Sequence, residues 1–288
     1  LQLARDHVSG DPAQREGVTR RWSAYTSEER HISVDKACDA VGIGRDGLRV
    51  LPTTAAFQLD LAALEAAIAE DRKTGVTPMC VIAMGGSTNN GAVDNLTALR
   101  KIADREKMWL HVDAAYGGGM LLSRRRPGVL AGIEHADSIT IDPHKWFYAP
   151  LDAGAILVRD ETQLTRSFGL KPAYLTDEMD AGGERYQYYV HGFEQSRRFR
   201  SLKVWMAFKR YGTKQIGSWI DANLAQADRL YELAAAHPGF AVAVKPVMSA
   251  ICIRSLADGN DEAASARRHA AVVRRIEEAG RFWFSTTE

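Results

Sequence analysis

The sequence predicts an α/β protein with a mainly parallel sheet, followed by part of a smaller α/β domain. Apolar runs typical of buried strands alternate with segments of helical periodicity along the first two-thirds of the chain. Strand, helix and strand in that order are typical of units that pair their strands in parallel. The composition is that of an ordinary globular protein, with 45% hydrophobic and 25% charged residues in a chain of 288.

The strands of the predicted sheet differ in how strongly the sequence marks them. The continuous apolar run over 78–84 is the clearest, because a strand covered on both faces needs no polar positions. Shorter strands are predicted at 48–52, 109–113, 138–142 and 154–158. Helices are predicted at 34–41, 59–71 and 94–107, the last with Asp94 as its N-cap.

One glycine pattern needs a separate interpretation. Residues 42–47 spell Gly-x-Gly-x-x-Gly, which in dinucleotide-binding proteins follows a strand and opens a helix. Here a predicted helix precedes the pattern and a strand follows it. We therefore interpret the pattern as a glycine-rich turn from helix to strand.

The last third of the chain predicts a second domain. Helices are predicted at 201–211, 217–237 and 262–279, and strands at 240–247, 250–253 and 281–285. We place the boundary between a large domain, 1–202, and a partial small domain, 203–288. Because the chain lacks an initiator Met, begins in the tail of a helix and stops in a strand, we expect it to be truncated at both ends.

Charge and cysteine content argue against several classes of partner. The formal net charge is +1, from 37 basic and 36 acidic residues, so we expect no binding to nucleic acid or to a membrane surface. The basic run 124–126 is expected to be solvated surface. The three cysteines are odd in number, far apart and in no metal-ligand spacing. With no signal peptide and no membrane-spanning stretch visible, we expect a reducing, cytoplasmic location and no metal site.

Two charged side chains follow predicted buried strands. Asp113 ends the strand 109–113, and Lys145 comes shortly after the strand 138–142. Because ligands of α/β sheets bind at the carboxyl ends of strands, both side chains are placed to reach a bound molecule. A lysine there can act as a nucleophilic amine, and the carboxylate can hold a cation. Pyridoxal 5′-phosphate (PLP) requires this combination, whereas the plainer alternatives are a loop charge and a turn-capping aspartate.

Two further segments leave their interpretation open. The loop 85–91 follows the buried strand 78–84, and its hydroxyl and backbone N–H groups suit either a cofactor oxygen or an ordinary polar turn. His31 begins a helix after a polar loop. A histidine in that position is either structural or stacked on a flat ring.

Several motifs in this order resemble the group II PLP-dependent decarboxylases, which act on aromatic amino acids, glutamate, diaminobutyrate and cysteine sulfinate. The resemblance covers essentially the whole chain and rests on four blocks: His-x-Ser-x-x-Lys-Ala from His31, Gly-Ser-Thr-x-x-Gly from Gly86, His-Val-Asp-Ala-Ala-Tyr-Gly-Gly from His111 and Asp-Pro-His-Lys-Trp from Asp142. A fifth block, Arg-Arg-Phe-Arg-Ser-Leu-Lys-Val-Trp over 197–205, is most similar to the aromatic-amino-acid branch.

The resemblance implies a fold type I, PLP-dependent transferase-like large domain and a set of cofactor-binding residues. Lys145 would hold PLP as a Schiff base, and Asp113 would pair with the pyridine nitrogen. His31 would stack on the ring. Thr88 and Ala115 would line it.

The resemblance also implies catalytic and cofactor-binding roles for three residues that do not contact the ring. His144 would lie beside the phosphate or the substrate α-carbon. Arg197 would lie near the cofactor and near the mobile catalytic loop that is typical of the family. Tyr174 would be the proton donor of that loop, closing on a substrate amino acid. The implied reaction is decarboxylation of an L-amino acid, with aromatic substrates favoured, in a homodimer with shared active sites.

The chain also departs from the family's pattern. The family's phosphate-gripping loop and dimer-forming arm precede the first residue, and Asp142 stands where animal enzymes often have Asn. Two alternatives therefore remain: an aldehyde synthase of the same family, and a non-catalytic remnant of the fold. Retention of His31 and Tyr174 argues against the aldehyde synthase.

Overall fold

A computed structural model describes residues 1–10, 12–170 and 186–287. Its main sheet is formed by β1 (Trp22–Ser27), β2 (Leu48–Leu51), β3 (Thr77–Met84), β4 (Trp109–Asp113), β5 (Ser138–Ile141) and β6 (Ala155–Val158). The helices are α1 (Gln2–Ser9), α2 (Pro12–Glu16), α3 (Ile32–Ala40), α4 (Leu61–Lys73), α5 (Leu96–Glu106), α6 (Thr162–Phe168), α7 (Arg200–Ala236) and α8 (Glu262–Glu278). A separate two-stranded sheet pairs β7 (Phe240–Val242) with β8 (Ile253–Ser255).

The main sheet is almost entirely parallel, as the sequence predicts. Its strand order is β2–β1–β3–β4–β5–β6, and only β6 runs antiparallel to its neighbour β5. Side chains of β3 alternate between two cores. Val81 and Ala83 face the core that includes α4, α5 and α7, whereas Ile82 and Met84 face the core that includes α1 and α3. Helices thus cover both faces, which confirms the predicted α/β fold class.

The sequence analysis missed β1, the strand that lies beside β3. Its residues Trp-Ser-Ala-Tyr-Thr-Ser include four hydroxyl side chains, yet every position is buried. Three of the hydroxyls have partners: Thr26 Oγ1 donates to Ile82 O at 3.0 Å, and Ser23 Oγ lies 2.8 Å from the hydroxyl of Tyr25, which donates to Asp71. A strand whose polar groups find partners in this way leaves no hydrophobic pattern in the sequence.

Two predicted helix boundaries change for identifiable reasons. Asp94 is not the N-cap of α5, because Asn95 caps it by accepting from Ala98 N. The Asp94 carboxylate instead accepts from the backbone N–H groups of Leu59 and Met84, each at 2.7 Å, and so ties β3 to the start of α4. The helices predicted at 201–211 and 217–237 form one long element with a break at Gly212, where φ is 74°.

The region after α7 contains less regular structure than the sequence predicts. The strands expected at 240–247 and 250–253 are only the short β7 and β8, and the strand expected at 281–285 is absent from the described residues there. The Gly-rich run 42–47 is confirmed as a turn between α3 and β2. The domain boundary between residues 202 and 203 stays a prediction, and it falls within the first turn of α7. None of the helices in the described ranges is both long and apolar enough to cross a membrane.

Candidate active site

A cavity of about 400 Å³ lies on the α3 side of the main sheet, at the carboxyl ends of β3, β4 and β5. Five of the residues predicted to bind a cofactor line this cavity: His31, Thr88, Asp113, Ala115 and Lys145. They come from four separate parts of the sequence. The parallel sheet brings them together because the ends of its neighbouring strands meet at one edge.

Asp113 is held by the regular end of the sheet. It is the last residue of β4, where its neighbours across the ladder are Met84 of β3 and Thr140 of β5. Its Oδ1 accepts from the backbone N–H of Ala115 at 3.1 Å. Its backbone carbonyl accepts from Gly85 N at 2.7 Å, so the ladder continues past the strands. The carboxylate therefore has a fixed position at the cavity wall.

Lys145 reaches the cavity from a tight turn after β5. The turn closes through a hydrogen bond from Lys145 N to Asp142 O of 2.8 Å. The lysine Nζ lies 3.0 Å from Asp142 Oδ2, and its side chain is 41% exposed. The following Trp146 is buried and packs against the Tyr116 ring at 4.6 Å between centroids. The position of this amine at a ligand-sized cavity, at the carboxyl edge of the sheet, favours the nucleophile interpretation over a loop charge.

The loop after β3 and the start of α3 complete the cavity wall. In the loop, Ser87 Oγ donates to Asn90 Oδ1 at 2.7 Å, which leaves Thr88 as the exposed hydroxyl facing the cavity. His31 caps α3, because its Nδ1 accepts from Ser33 N at 3.2 Å. That contact fixes the ring and leaves Nε2 to carry the proton in the neutral form.

Two of the other predicted site residues, His144 and Arg197, do not line the cavity. The His144 ring contacts one residue outside the cavity wall and one that belongs to it: Nδ1 lies 2.7 Å from Ala153 O, and Nε2 lies 3.9 Å from Asp142 Oδ2. Arg197 lies over the ring of Tyr188, with Cζ 5.3 Å from the ring centroid. Tyr174 lies outside the described residues. The catalytic roles of these three residues stay predictions.

The cavity also contains residues to which the sequence analysis gave no role. His111 lies on the same face of β4 as Asp113, two residues earlier, with Nδ1 2.8 Å from Ser138 Oγ and Nε2 3.2 Å from Thr140 Oγ1. Burial lowers the pKa of His111 to about 3, so its imidazole is neutral at physiological pH. The period of two along a strand was the signal that could have found it.

The cavity residues fit PLP. A carboxylate suits a protonated pyridine nitrogen, a lysine amine suits the aldehyde, and the small Ala115 with the neighbouring loop hydroxyls suits a flat polar ring. The fold and these residues together define a cofactor-binding α/β protein of fold type I.

The comparison with protein families agrees with this class. Residues 3–256 match the model of the pyridoxal-dependent decarboxylase conserved domain, and the chain therefore belongs to that family. This confirms the resemblance predicted from the sequence motifs.

Individual relatives support the same assignment. The chain is 39% identical to an aromatic-L-amino-acid decarboxylase of Bacillus atrophaeus over 207 residues, which cover 72% of this chain and 43% of that protein. It is 30% identical to a phenylacetaldehyde synthase of Arabidopsis thaliana over 289 residues, covering 100% of this chain and 59% of that protein. The crystal structure of Oryza sativa TDC with PLP and tryptamine superposes with a TM-score of 0.91 at 30% identity, over 100% of this chain and 61% of that one. The chain thus spans roughly half the length of these relatives.

Proposed function

We propose that the protein containing this chain is a PLP-dependent carboxy-lyase that converts an L-amino acid to its amine and CO₂. The observation that carries the proposal is the convergence of Asp113 and Lys145 on one cavity at the carboxyl edge of the sheet. Their residue types match the two ends of the pyridoxal ring, and their positions come from neighbouring strands.

Each residue of the cavity has a definite task in this proposal. Lys145 would hold the cofactor covalently through its amine. Asp113 would keep the pyridine nitrogen protonated, and His31 would cover one face of the ring. When bound, the cofactor supplies an electron-accepting ring that stabilises the charge left on the α-carbon by the departing carboxyl group. We assign the later protonation of that carbon to Tyr174, with His144 and Arg197 near the phosphate and the loop.

We propose an aromatic amino acid as the substrate. The block over 197–205 is similar to the aromatic branch, and the Bacillus atrophaeus relative is an aromatic-L-amino-acid decarboxylase. The test is a panel of aromatic, acidic and sulfur-containing amino acids, with the amine product measured. Preferred turnover of an acidic amino acid would contradict the choice of substrate and leave the reaction type intact.

An aldehyde synthase is the second candidate function, since phenylacetaldehyde synthases of Arabidopsis thaliana and Petunia hybrida are among the relatives. That reaction consumes oxygen after decarboxylation and releases an aldehyde in place of the amine. Measuring amine, aldehyde and CO₂ in one reaction separates the two. We expect one amine for each CO₂, because His31 and Tyr174 are both retained.

Covalent trapping tests the cofactor assignment and separates an enzyme from a non-catalytic remnant. Borohydride reduction of the PLP-treated protein should leave a reduced phosphopyridoxyl group, the label, attached to Lys145. Peptide mass spectrometry would identify the labelled residue. Lys145→Ala should abolish both the label and decarboxylation. The control is Lys101→Ala, at an exposed position of α5, which should keep both. Label on other lysines with none on Lys145 would refute the assignment.

We also propose a cytoplasmic homodimer with shared active sites. The first half of α7 exposes Leu202, Trp205 and Met206 at helical spacing, with 41%, 58% and 56% of their surfaces accessible. A second copy of the chain would cover such an apolar stripe. The free cysteines fit a reducing compartment. Light scattering of the purified protein should give twice the mass of one chain, and a monomer would contradict the dimer.

A further inference from the structure

A short segment after β7 reaches back from the C-terminal region to the cofactor cavity. This segment, Pro246–Ser249, is named the brace here. Pro246 and Met248 are buried, although most of the residues around them are partly or fully exposed. The brace lies behind the cavity wall and lines no part of the cavity itself. It contacts Gly86 and Tyr116, which line the cavity, and Arg126, which does not.

Met248 fills a cradle made by glycines from two cavity loops. The side chain is fully buried. A Cβ atom added to Gly86 would lie 2.7 Å from Met248 Sδ, and one added to Gly117 would lie 2.6 Å from Met248 Cε. Met248 thus occupies the space that a side chain at either position would need, and at Gly117 the backbone carbonyl of Gly85 lies closer still. Gly86 itself lines the cavity, immediately before Ser87 and Thr88.

Ser249 and Arg126 hold the brace in this position. Ser249 Oγ lies 2.6 Å from the hydroxyl of Tyr116, which lines the cavity, and Ser249 N donates to the same hydroxyl at 3.0 Å. Arg126 Nη1 donates to Pro246 O at 2.7 Å and to Val247 O at 2.8 Å. The sequence analysis expected the basic run 124–126 to be solvated, but the Arg126 side chain is only 18% exposed and also pairs with Asp228.

We propose that Met248 is a positioning residue of the cofactor site, which holds the loop 85–91 and Tyr116 in the geometry that binds PLP. The inference rests on the proposed function, because it concerns the same cavity. The C-terminal region would thereby contribute to cofactor binding although none of its described residues lines the cavity. The physical reason is that Gly86 and Gly91 have no side chains to pack, so their backbone is positioned by the Met248 side chain that lies against both of them.

A pair of matched cavity-forming variants tests the proposal. Met248→Ala and Leu64→Ala each remove a fully buried side chain from the same hydrophobic core, but Leu64 lies on α4 and lines no part of the cofactor cavity. Urea unfolding should show that both variants lose stability. The dissociation constant for PLP, measured by absorbance titration, should rise on the order of tenfold in Met248→Ala and stay within about twofold of the wild type in Leu64→Ala.

Hydrogen exchange of the protein without PLP provides a readout that does not depend on cofactor binding. The amides of residues 85–92 should exchange faster in Met248→Ala and at the wild-type rate in Leu64→Ala. Ser249→Ala, which removes only a hydroxyl, keeps the test open should Met248→Ala fail to fold. It should weaken PLP binding by a few-fold, and adding Tyr116→Phe should weaken it further, because that change also removes the acceptor of the Ser249 backbone N–H.

The outcomes separate the inference from the function on which it rests. Equal changes in PLP affinity and in loop exchange for Met248→Ala and Leu64→Ala would show that Met248 is merely part of the core, and would overturn the inference. A wild-type protein that exchanges slowly over 85–92 but binds no PLP would overturn the proposed function instead.

Discussion

The sheet region, residues 22–158, and the C-terminal region, residues 237–287, are built in contrasting ways. The first holds the six-stranded sheet and most of the buried side chains, whereas only Pro246, Met248 and Ser265 are buried in the second. Its small sheet has just two strands of three residues each, and α8 buries little of its surface. The predicted site residues that line the cavity all lie in the first region, and the second region contacts the site at the brace.

The contrast teaches where a precise site can be placed. Asp113 is fixed by ladder contacts on both sides, so its position is determined by several hydrogen bonds at once. The loop 85–91 lies past the end of β3, and Met248 packs against its Gly86 and Gly91. A region with little core of its own can therefore still contribute to a site through one well-packed side chain.

The largest effect is expected for a change at Asp113, which would pair with the pyridine nitrogen of the cofactor. Asp113→Asn should leave the fold intact and lower kcat by at least about a hundredfold, or about 2.7 kcal/mol of barrier, because an amide cannot keep the pyridine nitrogen protonated. The measurement is kcat at saturating PLP, with circular dichroism to check folding. The matched control is Asp137→Asn, since Asp137 pairs with Arg100 and Leu110 N and should affect stability only. A similar kcat for Asp113→Asn and wild type would refute the role of Asp113.

The stretch between the two regions carries the next prediction. Tyr174→Phe should allow CO₂ release to continue while the amine yield falls, with the α-carbon reacting with oxygen to give aldehyde. We expect the ratio of amine to CO₂ to drop by roughly tenfold or more, in line with the loss of one acid–base group. An exposed aromatic or a packing anchor predicts no change, because phenylalanine keeps the ring. An unchanged ratio would therefore remove Tyr174 as the proton donor.

Packing differences should appear directly in stability. Leu99→Ala, at a fully buried position of α5, should lower the free energy of unfolding by about 3 kcal/mol. Phe240→Ala in β7, at a position that is 42% exposed, should lower it by less than about 1 kcal/mol. Urea titrations of the two variants measure this directly. Equal losses would mean that the C-terminal region has a core comparable to that of the sheet region.

Acid should weaken the sheet region through His111. Burial lowers the pKa of this imidazole to about 3 in the folded protein, whereas the unfolded chain takes up the proton near 6.5. The stabilisation that comes from keeping His111 neutral is therefore complete above pH 6.5. The free energy of unfolding falls as the pH drops toward 3, by at most about 1.4 kcal/mol per pH unit.

The unfolding free energy, measured against pH, tests this expectation. His111→Gln should reduce the slope between pH 6.5 and 4, and the control His135→Gln, at a side chain that is 59% exposed, should leave it unchanged. The same slope in both variants would show that His111 does not titrate in this range.

The sequence alone determined the fold class and the central part of the site. The apolar run of β3 requires cover on both faces, and the strand–helix order requires parallel pairing, so Asp113 and Lys145 had to approach one edge of the sheet. These inferences succeed because each depends on a local pattern that the backbone converts directly into position. The motif blocks then identified PLP as the partner of that edge.

Only the tertiary structure decided the remaining features. The polar-looking β1 is buried, and its Tyr25 and Thr26 hydroxyls find partners on α4 and β3. Asp94 accepts from two backbone N–H groups and does not cap a helix. Met248 contacts Gly86 although the two residues are 162 positions apart, and no sequence pattern near either residue predicts the contact. The aromatic segment 281–285 has a strand's composition but no neighbouring strand to pair with among the described residues. Local patterns express what a segment favours, whereas burial and hydrogen-bond partners depend on which distant segments the fold brings to it.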